Sequence, residues 1–284
     1  MDRQLLRQLR DLEAAPRAPI TPSELAALVE AFGPLPEAVL EIYRFYAGSD
    51  GQRGRSASLP ARLMPPTEAL STTVEVHDLG WLERDVLLMW SDGDGNYAGV
   101  LLRDAVAARG MVFDHDEPDE SPAFRDLESL VRALIDGANR GLALLELPGD
   151  YPVDADTGDD AIDDRDRTAA NRYLEAARSA PNPRARRKAL LAYLRLASPG
   201  DKSSVRPLLH DPDVYVRERV CELIGRWRYE DAAEEMAAVA LTEEIANVPI
   251  QTIKALKRIG TAHAEEVLDR LMVDLPPGYA IYRR

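Results

Sequence analysis

Cysteine is all but missing from this 284-residue chain: Cys221 stands alone, with no partner for an intramolecular disulfide and no thiolate neighbours for a structural zinc. Disulfide-stapled and zinc-finger architectures are excluded. Histidine is scarce too, at positions 77, 115, 210 and 263, far apart in sequence and without a convincing nucleophile or carboxylate partner. Lysine occurs only at 188, 202, 254 and 257, so the basic charge is carried by arginine, a bias that points to a GC-rich bacterial genome. Long apolar runs are also lacking. The longest, residues 86–90 and 99–102, fall far short of the roughly 20 residues that span a bilayer. The first residues carry charge every few positions and have no signal-peptide core, so a cytoplasmic location is expected. No Gly-x-Ser-x-Gly, His-Glu-x-x-His, Walker or dinucleotide-binding motif occurs. The expectation is therefore a protein that is not an enzyme and uses no cofactor or metal.

What is abundant is acid, unevenly placed. The net charge of −14 divides into −12 for residues 1–150, −6 for 151–166 and +4 for 167–284. An acidic first half repels nucleic acid and attracts a basic protein partner at long range, although acidity also serves solubility. At 31.4 kDa, with 45% apolar residues, the chain has enough material for two cores.

Helices are predicted first. Leu5, Leu6, Leu9 and Leu12 recur at helical spacing, and Pro16 and Pro19 close that segment. Thr21-Pro22-Ser23-Glu24 sets a cap before a proline at the first helical position, with Leu25, Leu28, Val29 and Phe32 on one face. A third helix follows Pro36-Glu37 through Val39, Leu40, Tyr43 and Tyr46. Residues 49–62 read as a mobile Gly/Ser/Arg loop. Residues 86–90 and 97–102 read as strands joined by the turn-rich insert 91–96, and 111–113 as a third strand. A helix over 121–139 closes an α+β domain, helix-covered and mainly antiparallel.

Pro148 to Asp166 has the composition of a solvated acidic linker, giving domains at 1–147 and 167–284. Beyond it, helices of 12–16 residues alternate with short turns. An internal repeat aligns Arg186, Ala189, Leu190 and Leu194 with Arg217, Val220, Cys221 and Gly225, and then with the stretch around Ile253, Leu256 and Ile259. The offsets of 31 and 32 residues indicate stacked helix pairs. Asp211-Pro212-Asp213-Val214-Tyr215-Val216-Arg217 is similar to the turn and helix start of a HEAT repeat. That resemblance covers about residues 168–275 and implies an all-α array in which the Asp caps and the Arg bridges to a neighbouring repeat.

The first domain resembles the SUKH superfamily, the group of the Smi/Knr-like proteins. The resemblance is carried by residues 35–40 (Leu-Pro-Glu-Ala-Val-Leu), Phe45-Tyr46 and Gly51, residues 63–70 (Leu-Met-Pro-Pro-Thr-Glu-Ala-Leu), the hairpin 86–104, and Val112-Phe113-Asp114-His115-Asp116 before a last helix. It implies an α+β fold without catalysis. Many bacterial members are similar to immunity proteins that block a cognate toxin, often a nuclease, while fungal members are regulatory scaffolds. The helical array is a departure from a single-domain immunity protein and leaves both roles open.

Candidate binding residues follow from chemistry. Trp81, beside charged Glu83 and Arg84, is an interface anchor, whereas Trp90 at a strand end is expected in the core. Asp92-Gly93-Asp94-Gly95-Asn96 imitates the start of a calcium loop, but Tyr97 stands where glycine is needed and Arg103 where a bidentate glutamate is needed, so a hairpin turn is expected. Asp114, Asp116, Glu117, Asp119 and Glu120 form either a solvated loop or an electronegative lip that mimics phosphate charge. Arg184, Arg186, Arg187, Lys188, Arg217, Arg219, Arg226 and Arg228 form either a phosphate-gripping stripe or ion-pair ladders between repeats. Cys221 is expected as a buried hydrophobe.

Overall fold

The computed structural model describes residues 1–50, 59–82, 85–102, 106–116, 121–157 and 164–283, which form two compact units, Met1–Tyr151 and Pro152–Arg284. In the first unit, α1 (Arg3–Asp11) starts at Asp2, whose carboxylate accepts from the Gln4 amide at 2.8 Å. α2 (Pro22–Phe32) opens on a reciprocal capping box. The Thr21 hydroxyl accepts from the Glu24 N–H at 3.3 Å, and the Glu24 carboxylate accepts from the Thr21 N–H at 2.9 Å, which lowers the Glu24 pKa. α3 (Glu37–Phe45) buries Val39, Ile42 and Tyr43.

The sheet comprises β1 (Arg62–Leu63), β2 (Val86–Ser91), β3 (Tyr97–Leu101) and β4 (Gly110–Phe113), in that spatial order and antiparallel throughout. All six residues of β2 are buried, so it reads in the sequence as an unbroken apolar run and not as an alternation. Helix α4 (Pro66–Asp78) packs on β2, and α5 (Leu127–Arg140) packs on β4 and α1. Thr73 of α4 is buried for a reason: its hydroxyl donates to the Ala69 carbonyl at 2.7 Å and accepts the Leu88 N–H at 3.0 Å, beside the register shift between Leu88 and Trp90. One small antiparallel sheet packed with helices makes this unit α+β.

Two expectations need correction. The last helix begins at Leu127 rather than Ser121, because Asp126 is the cap and accepts the Ser129 N–H at 2.8 Å. Residues before it pair with the sheet instead, Phe124 bridging Gly110. The expected loop 49–62 is also structured where it is described. Ser49 is buried and bridges Pro16, and residues 59–62 are buried with Arg62 in β1; residues 51–58 lie outside the described residues.

A buried carboxylate ties the end of α1 to the sheet. Glu13 accepts the Leu63 N–H at 2.8 Å, while its other oxygen and the neighbouring Tyr46 hydroxyl make no well-formed hydrogen bond among the described residues. Burial raises the Glu13 pKa to about 7, against the opposing pull of the Leu63 amide and Arg62.

The second unit is all helix: α6 (Asp164–Arg178), α7 (Pro183–Leu196), α8 (Lys202–Val205), α9 (Val214–Arg226), α10 (Ala233–Thr242), α11 (Asn247–Ile259) and α12 (Ala262–Asp274), with short 3₁₀ turns between. The repeat-aligned segments fall on α7, α9 and α11. At Gly225 a Cβ would sit 2.6 Å from the Ala255 Cα, so α9 and α11 approach almost to backbone contact there. Cys221 lies in this packing, 3.6 Å from the Thr252 hydroxyl, with its thiol pushed up to about 12 by burial.

The segment expected as a linker is divided between the units. Tyr151 is buried in the first, its N–H donating to the Ala123 carbonyl at 3.1 Å. Residues 152–157 pack within the second, 158–163 lie outside the described residues, and 164–166 already belong to α6.

Candidate binding surfaces

The hairpin between β2 and β3 is built by Asp92. One of its carboxylate oxygens accepts the N–H groups of Asp94 at 2.8 Å and Asn96 at 3.1 Å, and the other accepts the Asn96 side-chain amide at 2.8 Å. Gly93 and Gly95 supply the positive φ values of 86° and 98° that the turn needs. Asp92 is thereby occupied in shaping the turn, and Asp94 projects into solvent.

Asn96 passes the order on to the end of β4. Its side-chain oxygen lies 2.8 Å from His115 Nδ1 and 3.3 Å from the His115 amide. Because the Asn96 NH₂ donates to Asp92, this oxygen is an acceptor and Nδ1 carries a proton. Nε2 faces Asp116, 3.3 Å away, and Asp114 accepts the Asp116 N–H at 2.9 Å. The ligating atoms of Asp114, His115 and Asp116 lie within 4.8 Å of one another, and they are the one group among the described residues with a metal-compatible arrangement.

Aromatic residues stand at the strand ends that lead into these loops. The cross-strand pair Tyr97 and Phe113 holds its ring centroids 6.2 Å apart, and Trp81 stacks on Phe113 at 6.4 Å with 26° between planes. Phe113 is fully buried, whereas Trp81 remains 41% exposed. The result is one exposed ring, Trp81, seated on buried Phe113 at the strand end that leads into Asp114 and Asp116. A cationic side chain meets both a ring face and a carboxylate in such a place. The structure thus joins the turn of Asp92 and Asp94 to Asp114 and Asp116 through the Asn96–His115 contact and sets Trp81 on Phe113, the residue before Asp114, while Glu117, Asp119 and Glu120 lie outside the described residues. Trp90 is fully buried. Sequence reasoning named Tyr97, Asn96 and His115 but assigned none of them to a binding surface. The hairpin register supplies the missing signal, since it sets Tyr97 opposite Phe113.

In the array, the basic residues are engaged in ladders. Arg186 of α7 forks onto Asp211 at 2.9 and 2.6 Å, and Arg187 pairs with Asp213 while lying 4.8 Å over the Tyr215 ring. Thirty-one residues after Arg186, Arg217 repeats the move onto Glu243, its Nε 2.8 Å from the carboxylate, and also donates to the Asp211 carbonyl at 2.6 Å. Arg219 and Arg226 both pair with Glu222, at 2.7 and 2.9 Å. Burial opposes ionisation of Glu222, but Arg219, Arg226 and Arg195 together hold its pKa below the ordinary value. Neither Arg184 nor Lys188 is without a partner. Between the turns before α9 and α11, a cavity of about 500 Å³ is lined by Leu209, Asp211, Arg217 and Ile245 among others.

A second set of basic residues stands at the C-terminal ends of α9 and α11. Asp154 accepts from Arg226 at 3.2 Å and Arg258 at 2.8 Å, Asp156 pairs with Arg228 at 3.1 Å, and the Trp227 indole N–H donates to the Val153 carbonyl at 3.2 Å.

Residues 203–280 match the family model of HEAT repeats. No curated protein matches the chain. The HEAT match agrees with the repeat read from the sequence and suggests a role in protein interaction. No helix among the described residues is long and apolar enough to cross a membrane.

Proposed function

We propose that the protein acts by binding another protein without catalysing a reaction, and that its first unit is a SUKH-like immunity module that obstructs a basic, nuclease-type bacterial toxin. The observation that carries this reading is the exposed Trp81 ring stacked on buried Phe113, at the strand end that continues into Asp114 and Asp116. A rigid aromatic on a buried base loses little entropy when it is covered, and these carboxylates steer a basic partner to it. The −12 charge of residues 1–150 supports the same polarity of partner.

The test is capture and neutralisation of proteins encoded beside the gene by the full chain. Trp81→Ala is expected to weaken the complex about 10- to 100-fold, a loss on the order of 1–3 kcal/mol. Asp114→Asn with Asp116→Asn is expected to slow association and flatten its salt dependence. Failure to bind or neutralise any neighbouring protein rejects the immunity reading, and an undiminished affinity in Trp81→Ala rejects this surface.

A regulatory scaffold with no toxin partner is the second reading, favoured by the HEAT-repeat match in the second unit. It predicts cellular partners and no toxin gene nearby. A phosphate-gripping role for the array is the weaker alternative, because Arg186, Arg187 and Arg217 would first have to leave their carboxylates.

A further inference from the structure

We infer that the C-terminal ends of α9 and α11 form a docking site for an acidic peptide, and that residues 153–156 of the chain occupy it as an internal ligand. This site lies wholly within the second unit and is independent of the immunity reading.

The first argument is repetition. Arg226 and Arg258 are 32 residues apart, the repeat offset, and both converge on the single carboxylate of Asp154. Arg195 holds the equivalent place on α7, 31 residues before Arg226. An arginine therefore recurs in the last turn of each of these three helices; Arg226 and Arg258 meet the strap, while Arg195 and Arg226 also act on the Glu222 carboxylate.

The second argument is electrostatic. Helix C-termini carry partial negative charge, which disfavours carboxylates placed beside them. Asp154 and Asp156 sit there nonetheless, so the arginines outweigh the dipoles. Arg228 follows α9 in a left-handed conformation, φ 47°, that closes the helix through the Tyr229 N–H to Ile224 carbonyl bond at 3.0 Å. Its guanidinium reaches Asp156 from that position.

The third argument is the recognition of backbone. Trp227 is buried, and its N–H is satisfied by the Val153 carbonyl, while the Val153 side chain is itself buried. The site therefore reads an apolar residue with a free carbonyl, a carboxylate at the next position and another two positions later, as in Val153-Asp154-Ala155-Asp156. The two ion pairs of the strap are exposed and individually weak, so its hold rests mainly on buried Val153 and the bond from Trp227. A partner protein bearing the same pattern in an extended segment can replace the strap.

The experiment uses the full chain and a labelled peptide with the sequence of residues 151–157. In the unaltered protein the tethered strap competes at an effective concentration near millimolar, so the peptide binds poorly. Asp154→Arg sets a third cation against Arg226 and Arg258 and expels the strap. This variant is expected to bind the peptide at least about 10-fold more tightly than the unaltered chain. Adding Arg258→Ala, or scrambling the peptide at constant composition, is expected to abolish that gain. The retained helical circular dichroism and melting transition verify the fold of each variant. Equal affinity for both chains, equal binding of the scrambled peptide, or no binding to Asp154→Arg at millimolar peptide overturns the proposal. Preferential binding of a single-stranded oligonucleotide to Asp154→Arg, with the peptide unable to displace it, overturns it in favour of a phosphate ligand.

Discussion

Glu13 keeps a proton that the unfolded chain gives up over the same pH range. Its pKa lies at about 7 in the fold against the ordinary 4.5, so between those values the folded state binds more protons than the unfolded one. The sign is fixed by that difference. The contribution of Glu13 is fully present below about pH 4.5, declines as pH rises to about 7, and is flat above. Glu13→Gln keeps an acceptor for the Leu63 amide, adds a donor toward Tyr46 and removes the titration. Denaturant titrations are expected to show this variant more stable above pH 7 by on the order of 1–3 kcal/mol, with the advantage shrinking to nothing near pH 4.5. A pH-independent difference would contradict this role. Nothing in the sequence around Glu13 marks it as buried, since its partners, Leu63 and Tyr46, arrive from other elements. Trp81 and Asp94 were legible because their local composition implied exposure, whereas the turn-building role of Asp92 required the positions of Asp94 and Asn96.

Among the elements, the contact of α9 with α11 depends most on a single atom. Alanine has a helix propensity about 1 kcal/mol better than glycine, so Gly225→Ala would stabilise an isolated α9. In the array the added methyl meets the Ala255 Cα at 2.6 Å and its Cβ at 2.9 Å, and backbone cannot yield as a flexible side chain can. The expected outcome is a net destabilisation of about 1–3 kcal/mol in chemical denaturation, against the helix scale. A stabilised variant would show that the helices separate without cost. Element by element, α2 was readable from its cap residue Thr21 and the proline that follows it, and β2 and β3 from their flanking turn residues. Helix α4 was not, because Thr72, Thr73 and Val74 are poor helix formers and the apolar face is interrupted by Thr73. Packing on β2 and the hydrogen bond from Leu88 to Thr73 override that local preference. The repeat was legible because a constant offset survives even where single helices are ambiguous.

Across the whole molecule, the charge turns from negative to positive only after residue 166, whereas the units divide at Tyr151 and Pro152, so the aspartate-rich segment 152–166 belongs to the second unit. Composition alone made the aspartate-rich segment look solvated. What it could not disclose was that Asp154 and Asp156 have arginines waiting in helix ends more than 70 residues away. That separation has a kinetic meaning. The ladder contacts Arg186–Asp211 and Arg217–Glu243 close loops of 25 and 26 residues, while Val153 and Asp154 reach Trp227 and Arg258 across 74 and 104. Closing the longer loops costs roughly 1 kcal/mol more, and the receiving surface exists only once α9 and α11 have packed. That cost predicts that the strap docks last and is absent from the folding transition state of the second unit. In stopped-flow refolding of the full chain, Asp154→Arg is expected to accelerate unfolding and leave the folding rate unchanged, while a slowed folding limb would place the strap early. A segment that arrives last is also the first to leave, so opening of the strap sets the earliest step by which the array comes apart.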